Sequence, residues 1–276
     1  MSDISIKPLL IFGGNYSNLH ATQALKTWAD EQGFMPEQII CTGDIVAYCA
    51  NPQETVDLIR DWIGDKGRCI QGNVEQSLAA KSNDCGCGFE EGTTCDILSK
   101  GWYDYAQQSI SAETREWFAS LPETLSFSLA NKCVQIVHGA PSEMSRFMFD
   151  SMDDVEFVKE FELVNADIIL AGHSGLPFTK RVDDGRLWHN SGAMGMPAND
   201  GTSNVWFSVL EADDHGDLSF QHHSLDYDFK SASQMMKNHG LTQGYDESLL
   251  TGLWPSMDVL PDLEKEQQGI KLMLNI

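Results

Sequence analysis

The sequence is poor in basic residues and lacks long apolar runs. Lysine and arginine total 18 against 41 aspartates and glutamates, so the formal net charge of the 276 residues is −23. A field of this sign repels polyanions, which argues against a nucleic acid or an anionic membrane as the main partner. No uncharged apolar stretch approaches the roughly 18 residues that a transmembrane helix needs.

The first residues also lack the features of an export signal. The segment MSDISIKPLLIFGG has neither the basic start nor the cleavage site of a signal peptide. The chain has seven cysteines, an odd number. Without an export signal, reduced thiols or a metal site are favoured over a disulfide framework. We therefore expect a cytoplasmic protein.

Short apolar segments alternate with amphipathic ones along much of the chain. Strands are predicted over 7–13, 38–42, 67–71, 125–129, 133–137 and 167–171. Helices are predicted over 19–32, 53–63, 96–108, 112–119 and 152–164. Alternation of this kind is typical of an α/β fold in which helices cover a largely parallel sheet.

The other segments are mostly strands or irregular until the last fifth of the chain. One hairpin is predicted to turn at Asn131-Lys132, and another joins 205–210 to 217–222 around residues 213–216. Residues 81–95 are expected to be irregular. From residue 229 the pattern becomes helical and polar. We therefore divide the chain into a body, 1–228, and a helical C-terminal extension, 229–276, packed on the body or contacting a partner such as a second copy.

Four predicted strands end in the same manner, at a glycine beside a residue that can bind a metal. The pairs are Gly43-Asp44, Gly72-Asn73, His138-Gly139 and Gly172-His173. In α/β sheets, ligands bind outside the carboxyl ends of strands, and glycine there lets the backbone approach the bound group. Two imidazoles, one carboxylate and one amide oxygen suit Zn, Mn or Fe(II). We expect one divalent transition metal held by Asp44, Asn73, His138 and His173.

The order of these motifs resembles the calcineurin-like metallophosphoesterases, nearest to their small bacterial branch of phosphodiesterases and diadenosine tetraphosphatases. Asn190-Ser191-Gly192-Ala193 stands where that family has a strand-end turn. The resemblance implies a four-layer αββα sandwich of two mixed β-sheets flanked by helices. It also implies two metal ions that bind a phosphate and activate a water. One of the family's metal sites corresponds to Asp44, Asn73, His138 and His173.

The other metal site of the family is lost from this sequence. The aspartate and histidine of the family's first motif correspond to Gly14 and Tyr16, and the last histidine of its GHxH motif to Gly175. The histidine of its GNH motif, which contacts phosphate and can protonate the leaving group, corresponds to Val74. Glycine leaves no side chain that could substitute for these ligands.

Two functions remain open. The first is weak or specialised phosphoester hydrolysis with one metal, the class that the resemblance implies. Asp44 and His138 are then candidate catalytic residues, and Tyr16 and Arg146 are candidates for binding a small phosphorylated molecule. The alternative is a catalytically inactive pseudo-enzyme that acts as a binding or regulatory protein. His20 and His189 are further candidates for orienting a substrate.

A group of cysteines follows the third strand end. Cys85, Cys87 and Cys95 have the spacing C-x-C-x₇-C. Three thiolates could hold zinc or part of an iron–sulfur cluster, or could replace the missing ligands if the loop folds over the site. The spacing fits no standard zinc ribbon, and no fourth ligand is evident. This favours a loop with reduced thiols.

Overall fold

Two five-stranded sheets form the centre of the fold. The structure, a computed structural model, describes residues 7–213 and 217–274. The strands are β1 (Leu9–Phe12), β2 (Ile39–Cys41), β3 (Arg68–Cys69), β4 (Leu125–Leu129), β5 (Lys132–Ile136), β6 (Ile168–Ala171), β7 (Pro177–Arg181), β8 (Leu187–Ser191), β9 (Val205–Ala212) and β10 (Leu218–Leu225). The first sheet has the order β10-β9-β1-β2-β3, and the second has the order β4-β5-β6-β8-β7.

Both sheets contain parallel and antiparallel strands. In the first sheet β1, β2 and β3 are parallel neighbours, whereas β9 runs antiparallel to β1 and β10. In the second sheet β5, β6 and β8 are parallel neighbours, with β4 and β7 antiparallel at the two edges.

Helices cover the outer faces of the sheets. They are α1 (Leu19–Gln32), α2 (Pro52–Ile63), α3 (Asn73–Ala80), α4 (Thr94–Ser109), α5 (Ala112–Ser120), α6 (Asp154–Glu162), α7 (Phe229–Asn238), α8 (Tyr245–Thr251) and α9 (Asp262–Glu266). Among the described residues, no helix is both long and apolar enough to cross a membrane.

The apolar core lies in three layers. Alternate residues of the facing strands, including Ile11, Ile40, Val134 and Leu170, fill the space between the sheets. A second layer separates the first sheet from its helices, and a third separates the second sheet from α6. Successive side chains of a strand point to opposite faces of its sheet, so each sheet contributes to two of these layers. This arrangement confirms the predicted αββα sandwich of two mixed sheets.

A polar cluster interrupts the apolar layer between the sheets. The hydroxyl oxygen of Thr179 lies 2.8 Å from His189 Nδ1 and 2.9 Å from His222 Nε2. His189 Nε2 lies 2.7 Å from the hydroxyl oxygen of Ser208. Burial lowers the pKa of His189 well below its usual value, with the charge of His222 as the second cause. His189 is therefore a neutral link between the sheets, and its role in orienting a substrate stays a prediction.

The structure corrects several local predictions. The first hairpin turns at Ala130 and Asn131, one residue earlier than predicted, because a two-residue type I′ turn needs positive φ at both positions and these residues have φ of 47° and 61°. Helix α3 directly follows the third strand end, where no helix was predicted. The irregular segment ends at Thr93, whose side chain caps α4 by accepting a hydrogen bond from the Asp96 amide. Residues 214–216 of the second predicted turn lie outside the described range.

The C-terminal helices contact the body through aromatic and aliphatic side chains. The Tyr245 ring lies 4.4 Å from the Tyr48 ring, measured between centroids. Met236 and Leu249 are buried in the same apolar layer as residues of α1 and α2. The predicted boundary at residue 228 remains a prediction, but one core layer extends across it.

Candidate metal centre

The four predicted ligands come from adjacent ends of the two sheets. Asp44 follows β2, Asn73 begins α3 after β3, His138 follows β5, and His173 follows β6. Asp44 and His173 adopt left-handed conformations with φ of 55° and 57°. Such backbone is costly for residues other than glycine and is concentrated at functional sites. These sharp turns direct both side chains back toward the sheet ends.

His138 stands at the centre of the group. Its Nε2 atom lies 3.0 Å from Asn73 Oδ1, 3.2 Å from His173 Nδ1 and 3.3 Å from Asp44 Oδ2. One ligand atom from each of Asp44, His138 and His173 falls within 4.8 Å of the other two. Asp44, His138 and His173 therefore form a group that could hold a metal ion.

The surrounding hydrogen bonds aim these atoms at a common point. His138 Nδ1 lies 2.7 Å from the Thr42 carbonyl oxygen, which can only accept, so Nδ1 carries the proton and Nε2 faces the group. Asn73 Nδ2 donates to the Cys85 carbonyl at 3.0 Å, which turns Oδ1 toward His138. Support of a ligating imidazole by a carbonyl is typical of metal sites. The donor set thus fits a divalent transition metal.

The charges in the group are set by burial and by each other. Burial opposes a charge on His138, but the charge and hydrogen bond of Asp44, the hydrogen bond to Thr42 and the charge of Glu75 together outweigh burial and raise the pKa of His138. The pKa of Asp44 is correspondingly lowered: burial acts to raise it, but the charge and hydrogen bond of His138, the charge of His173 and the Val74 amide together outweigh burial. Burial, and then the charge of His138, lower the pKa of His173 to about 3. A metal would replace the proton that His138 and Asp44 otherwise share.

Glu75 ties the two ligand-bearing loops of the first sheet together. Its fully buried carboxylate accepts hydrogen bonds from the backbone amides of Asp44 at 2.7 Å, Gly72 at 2.9 Å and Val46 at 3.2 Å. Burial, and then the charge of Asp44, raise the pKa of Glu75 to about 7. The sequence carries a signal for this role, since an acidic residue three positions after a helix cap commonly accepts the cap amide.

Tyr16 lies beside Gly14 and Gly175, the two glycines at which ligands of the family are predicted to be missing. A Cβ built on Gly14 would lie 2.8 Å from Tyr16 Cζ and 3.0 Å from its hydroxyl oxygen. A Cβ built on Gly175 would lie 3.8 Å from that same oxygen. The phenol therefore stands between the two glycines. Burial raises the pKa of Tyr16 far above its usual value, with the charge of Asp44 as the next cause, so the hydroxyl keeps its proton.

A cavity of about 70 Å³ adjoins the centre. Asp44 and His173 lie on one wall. The other walls are mainly aromatic or apolar and include Tyr48, Phe89, Phe147, Tyr245 and Trp254. No lysine or arginine is among the described residues that line it. Residues from the C-terminal part of the chain, such as Tyr245 and Trp254, thus form part of the cavity wall, a role that their sequence did not signal.

The other candidate residues lie apart from this group or in an altered chemical state. Arg146 makes ion pairs of 2.6 Å with both Glu156 and Glu160 and is not among the residues that line the cavity. The structure corrects the thiol prediction: Cys85 and Cys87 form a disulfide, whereas Cys95 is reduced. A centre of three thiolates is therefore not assembled, because two of the sulfurs are bonded to each other.

Sequence reasoning missed two further contacts of the centre. The Phe147 ring lies 4.2 Å from the His173 ring and covers one side of it. The Trp254 indole donates to the Pro197 carbonyl at 2.6 Å, which fixes the ring beside the cavity. Neither aromatic residue belongs to a local motif, so no spacing in the sequence could have marked it.

The structure is similar to two solved structures over most of its length. A hypothetical protein from Pyrococcus horikoshii superposes with a TM-score of 0.74 at 18% identity, covering 89% of this chain and 98% of that one. A metallophosphoesterase from Sphaerobacter thermophilus superposes with a TM-score of 0.69 at 19% identity, covering 90% of this chain and 100% of that one. At these identities the likeness establishes a shared fold.

Sequence comparison identifies the family. An uncharacterized protein from Methanocaldococcus jannaschii is 27% identical over 256 residues, which cover 86% of this chain and 95% of the relative. The sequence model of the calcineurin-like phosphoesterase superfamily domain matches residues 14–214, which is most of the chain and contains all four predicted ligands. The chain therefore belongs to the calcineurin-like phosphoesterase superfamily.

Proposed function

We propose that the protein binds one divalent transition metal, Mn, Fe or Zn, and slowly hydrolyses a small phosphorylated molecule beside it. The ligands in this proposal are Asp44, Asn73, His138 and His173. The observation that carries it is the convergence of oxygen and nitrogen atoms within 3.0 to 3.3 Å of His138 Nε2. A metal bound there would polarise a phosphoryl oxygen and lower the pKa of a bound water.

The chain's own residues divide the remaining tasks. Thr42 holds the His138 ring in the tautomer that presents Nε2. Tyr16 keeps its proton, so its hydroxyl can donate a hydrogen bond to a substrate oxygen in the cavity that it lines. Phe147 and Trp254 limit the entry of water on the other sides. A phosphoryl group would thus be held by one hydrogen-bond donor of the chain where the family has a second metal.

The cavity limits both the substrate and the rate. Its volume of about 70 Å³ leaves room for a small bound group beside the ligands. Val74 cannot protonate a leaving group, and the second set of metal ligands is missing. Loss of one preorganised electrostatic stabiliser typically costs about 10²–10³ in rate, and two are lost here. We therefore propose that the protein slowly hydrolyses small phosphoesters. We also propose that it belongs to the small bacterial branch of the family and acts in the cytoplasm.

A binding protein without turnover is the second candidate. It is favoured by the position of Tyr16, which fills the space between Gly14 and Gly175, and by the lack of lysine and arginine among the described cavity residues. A dianionic phosphate would meet the Asp44 carboxylate without a compensating side-chain cation. The C-terminal extension would then carry the regulatory contact, with a partner protein or a second copy.

Metal analysis of the purified protein tests the shared premise. We expect about one equivalent of transition metal in the wild type, and its loss in His138→Ala and in His173→Ala. His20→Ala, on α1 outside the ligand group, is the matched control and should retain the metal. A wild-type protein that takes up no Mn, Fe or Zn during dialysis against each ion would refute the proposal.

Hydrolysis assays separate the two candidates. Phosphomonoester and phosphodiester substrates are offered with added Mn²⁺, and wild-type protein is compared with Asp44→Asn. Turnover that disappears in the variant supports the hydrolase. Stoichiometric metal binding with no turnover of any phosphoester supports the binding protein.

A further inference from the structure

The loop after α3 places a cysteine pair against the metal centre. Cys85 and Cys87 are only 4% and 6% exposed. Asn73 Nδ2 lies 3.4 Å from Cys87 Sγ, and Oδ1 of the same amide lies 3.0 Å from His138 Nε2. One amide group therefore separates this sulfur from the ligand atoms. Cys87 also lines the same cavity as Asp44 and His173.

Two glycines allow the loop to take this path. Gly86 has a φ of 66°, and a Cβ on it would lie 2.8 Å from the Ser77 hydroxyl of α3. Gly88 has a φ of 71°, and a Cβ on it would lie 3.1 Å from the Ser145 carbonyl. Left-handed conformations in close contact with neighbouring groups are accessible to glycine at little cost. The segment is therefore seated between α3 and the loop after β5.

The charge of the cavity favours a second anionic ligand. Among the four proposed ligands only Asp44 supplies a negative charge, so a divalent ion would keep one positive charge that its own ligands do not cancel. Burial of an unpaired charge is costly. One thiolate would cancel it, whereas the neutral side chains of Asn73 and His173 cannot.

We propose that Cys87 is a redox-controlled ligand of this centre, an inference that rests on the metal binding proposed above. With the Cys85–Cys87 disulfide intact, the sulfur is withheld from the metal. Two molecules of a small-molecule thiol would reduce this bond by thiol–disulfide exchange and leave as their own disulfide, with their protons on the two cysteines. In this dithiol state, Cys87 would lose its thiol proton to solvent and its sulfur would donate an electron pair to the ion. A thiolate in the ligand set favours zinc or iron over manganese and magnesium.

The reverse step requires an oxidant, for which we name a small-molecule disulfide. A thiolate of the pair attacks one sulfur of the reagent and releases its other half as a thiol. The second cysteine then attacks this mixed disulfide, which forms the Cys85–Cys87 bond and releases the second thiol. Both cysteine protons end on the two reagent thiols or in solvent. A metal bound to Cys87 would slow the exchange because the thiolate is occupied.

Cobalt(II) titration of the full-length protein tests this ligand directly. Cobalt gives d–d bands with any such centre, but a near-ultraviolet sulfur-to-cobalt charge-transfer band only when a thiolate binds. We expect this band after reduction with a phosphine and not after oxidation with oxidised glutathione. We also expect cobalt to bind at least about tenfold more tightly to the reduced protein.

Three single variants complete the test. Cys87→Ser should lose the charge-transfer band. Cys95→Ser is the matched control, since Cys95 lines the same cavity without entering the disulfide, and it should keep both the band and the redox response. Cys85→Ser should keep the band in the reduced state, and oxidised glutathione should then leave a stable mixed disulfide on Cys87, seen by mass as one added glutathione, because no second cysteine of the pair remains to resolve it.

The possible failures are distinguishable. Reduced wild-type protein that shows d–d bands without the charge-transfer band overturns the role of Cys87 and leaves the metal centre standing. Protein that shows neither kind of band in either redox state overturns the metal centre and this inference together.

Discussion

Tyr16 fills the volume that a side chain on Gly14 would need. The overlap extends from Cζ to the hydroxyl oxygen, at 2.8 and 3.0 Å from the built Cβ. The two residues are therefore complementary, and a larger residue at position 14 would require a smaller one at position 16. Packing thus couples these two positions.

This coupling predicts a non-additive effect on stability. Gly14→Ala should lower the free energy of unfolding by about 1–3 kcal/mol through overpacking, beyond the cost of its left-handed backbone. In a Tyr16→Leu background the added cost should largely disappear. Gly33→Ala is the control, because Gly33 is also left-handed, with a φ of 75°, but its Cβ would meet nothing within 4 Å. Urea unfolding of the four combinations and the control measures the effect; strict additivity would contradict it.

Replacement of Glu75 by glutamine should lower the stability of the protein and weaken metal binding. The carboxylate accepts three backbone hydrogen bonds, and a glutamine amide would turn its NH₂ group toward at least one of the donors. An unsatisfied buried donor costs about 1–3 kcal/mol. Urea unfolding should show this loss, together with weaker cobalt binding. Glu123→Gln, at an exposed position, should change neither quantity, and equal behaviour of the two variants would refute the role of Glu75.

The histidines between the sheets predict a loss of stability in mild acid. Burial, and then the charge of His223, lower the pKa of His222 to about 4, whereas an unfolded histidine titrates near about 6.5. Above about pH 6.5 both states are neutral and stability is complete. As the pH falls from about 6.5 toward 4, the unfolded state binds a proton that the folded state excludes, which costs roughly 1.4 kcal/mol per pH unit.

Urea unfolding at a series of pH values measures this slope. His222→Gln removes one titrating group and should reduce the slope by one proton, while unfolding at pH 7.5 or so reports any loss of packing separately. An unchanged slope in the variant would show that the folded protein accommodates the His222 charge.

Removal of the C-terminal extension should abolish cooperative folding. A chain that ends at residue 228 loses Met236, Tyr245 and Leu249 from the core layer of the first sheet. A chain that ends at residue 261 loses α9, which has no buried residues, and should keep a cooperative thermal transition. Circular dichroism melts of both shortened chains test the contrast. A stable, cooperative 1–228 fragment would instead establish the extension as a separate unit.

The sequence was sufficient for the layers and for the convergence of the ligands. Buried strands announce themselves by apolar runs, and glycines at the strand ends mark where the backbone turns. Asp44 and His173 could thus be predicted to lie close together, because each follows a parallel strand and ligands bind outside the carboxyl ends of such strands. Helix α3 was not predicted because it has few apolar residues. Its start is set by the hydrogen bond from the Gly72 amide to the Glu75 carboxylate.

What the sequence could not supply were contacts between distant segments. The position of Trp254 in the cavity wall depends on how the C-terminal segment folds back across the body. The approach of Cys87 to Asn73 depends on a loop without periodicity, whose path is set by the surfaces of α3 and Ser145. The ion pairs of Arg146 likewise depend on how α6, which carries Glu156 and Glu160, packs against the loop after β5. Each of these is a tertiary effect with no local pattern.

The ligands of the proposed metal belong in equal numbers to the two sheets, Asp44 and Asn73 to the first and His138 and His173 to the second. An ion held by all four would be a clasp between the layers. An ion present at a hundred times its dissociation constant would stabilise the folded state by about 2.7 kcal/mol. Because degradation in cells follows the unfolded fraction, metal supply would govern how long each molecule survives as well as what it binds.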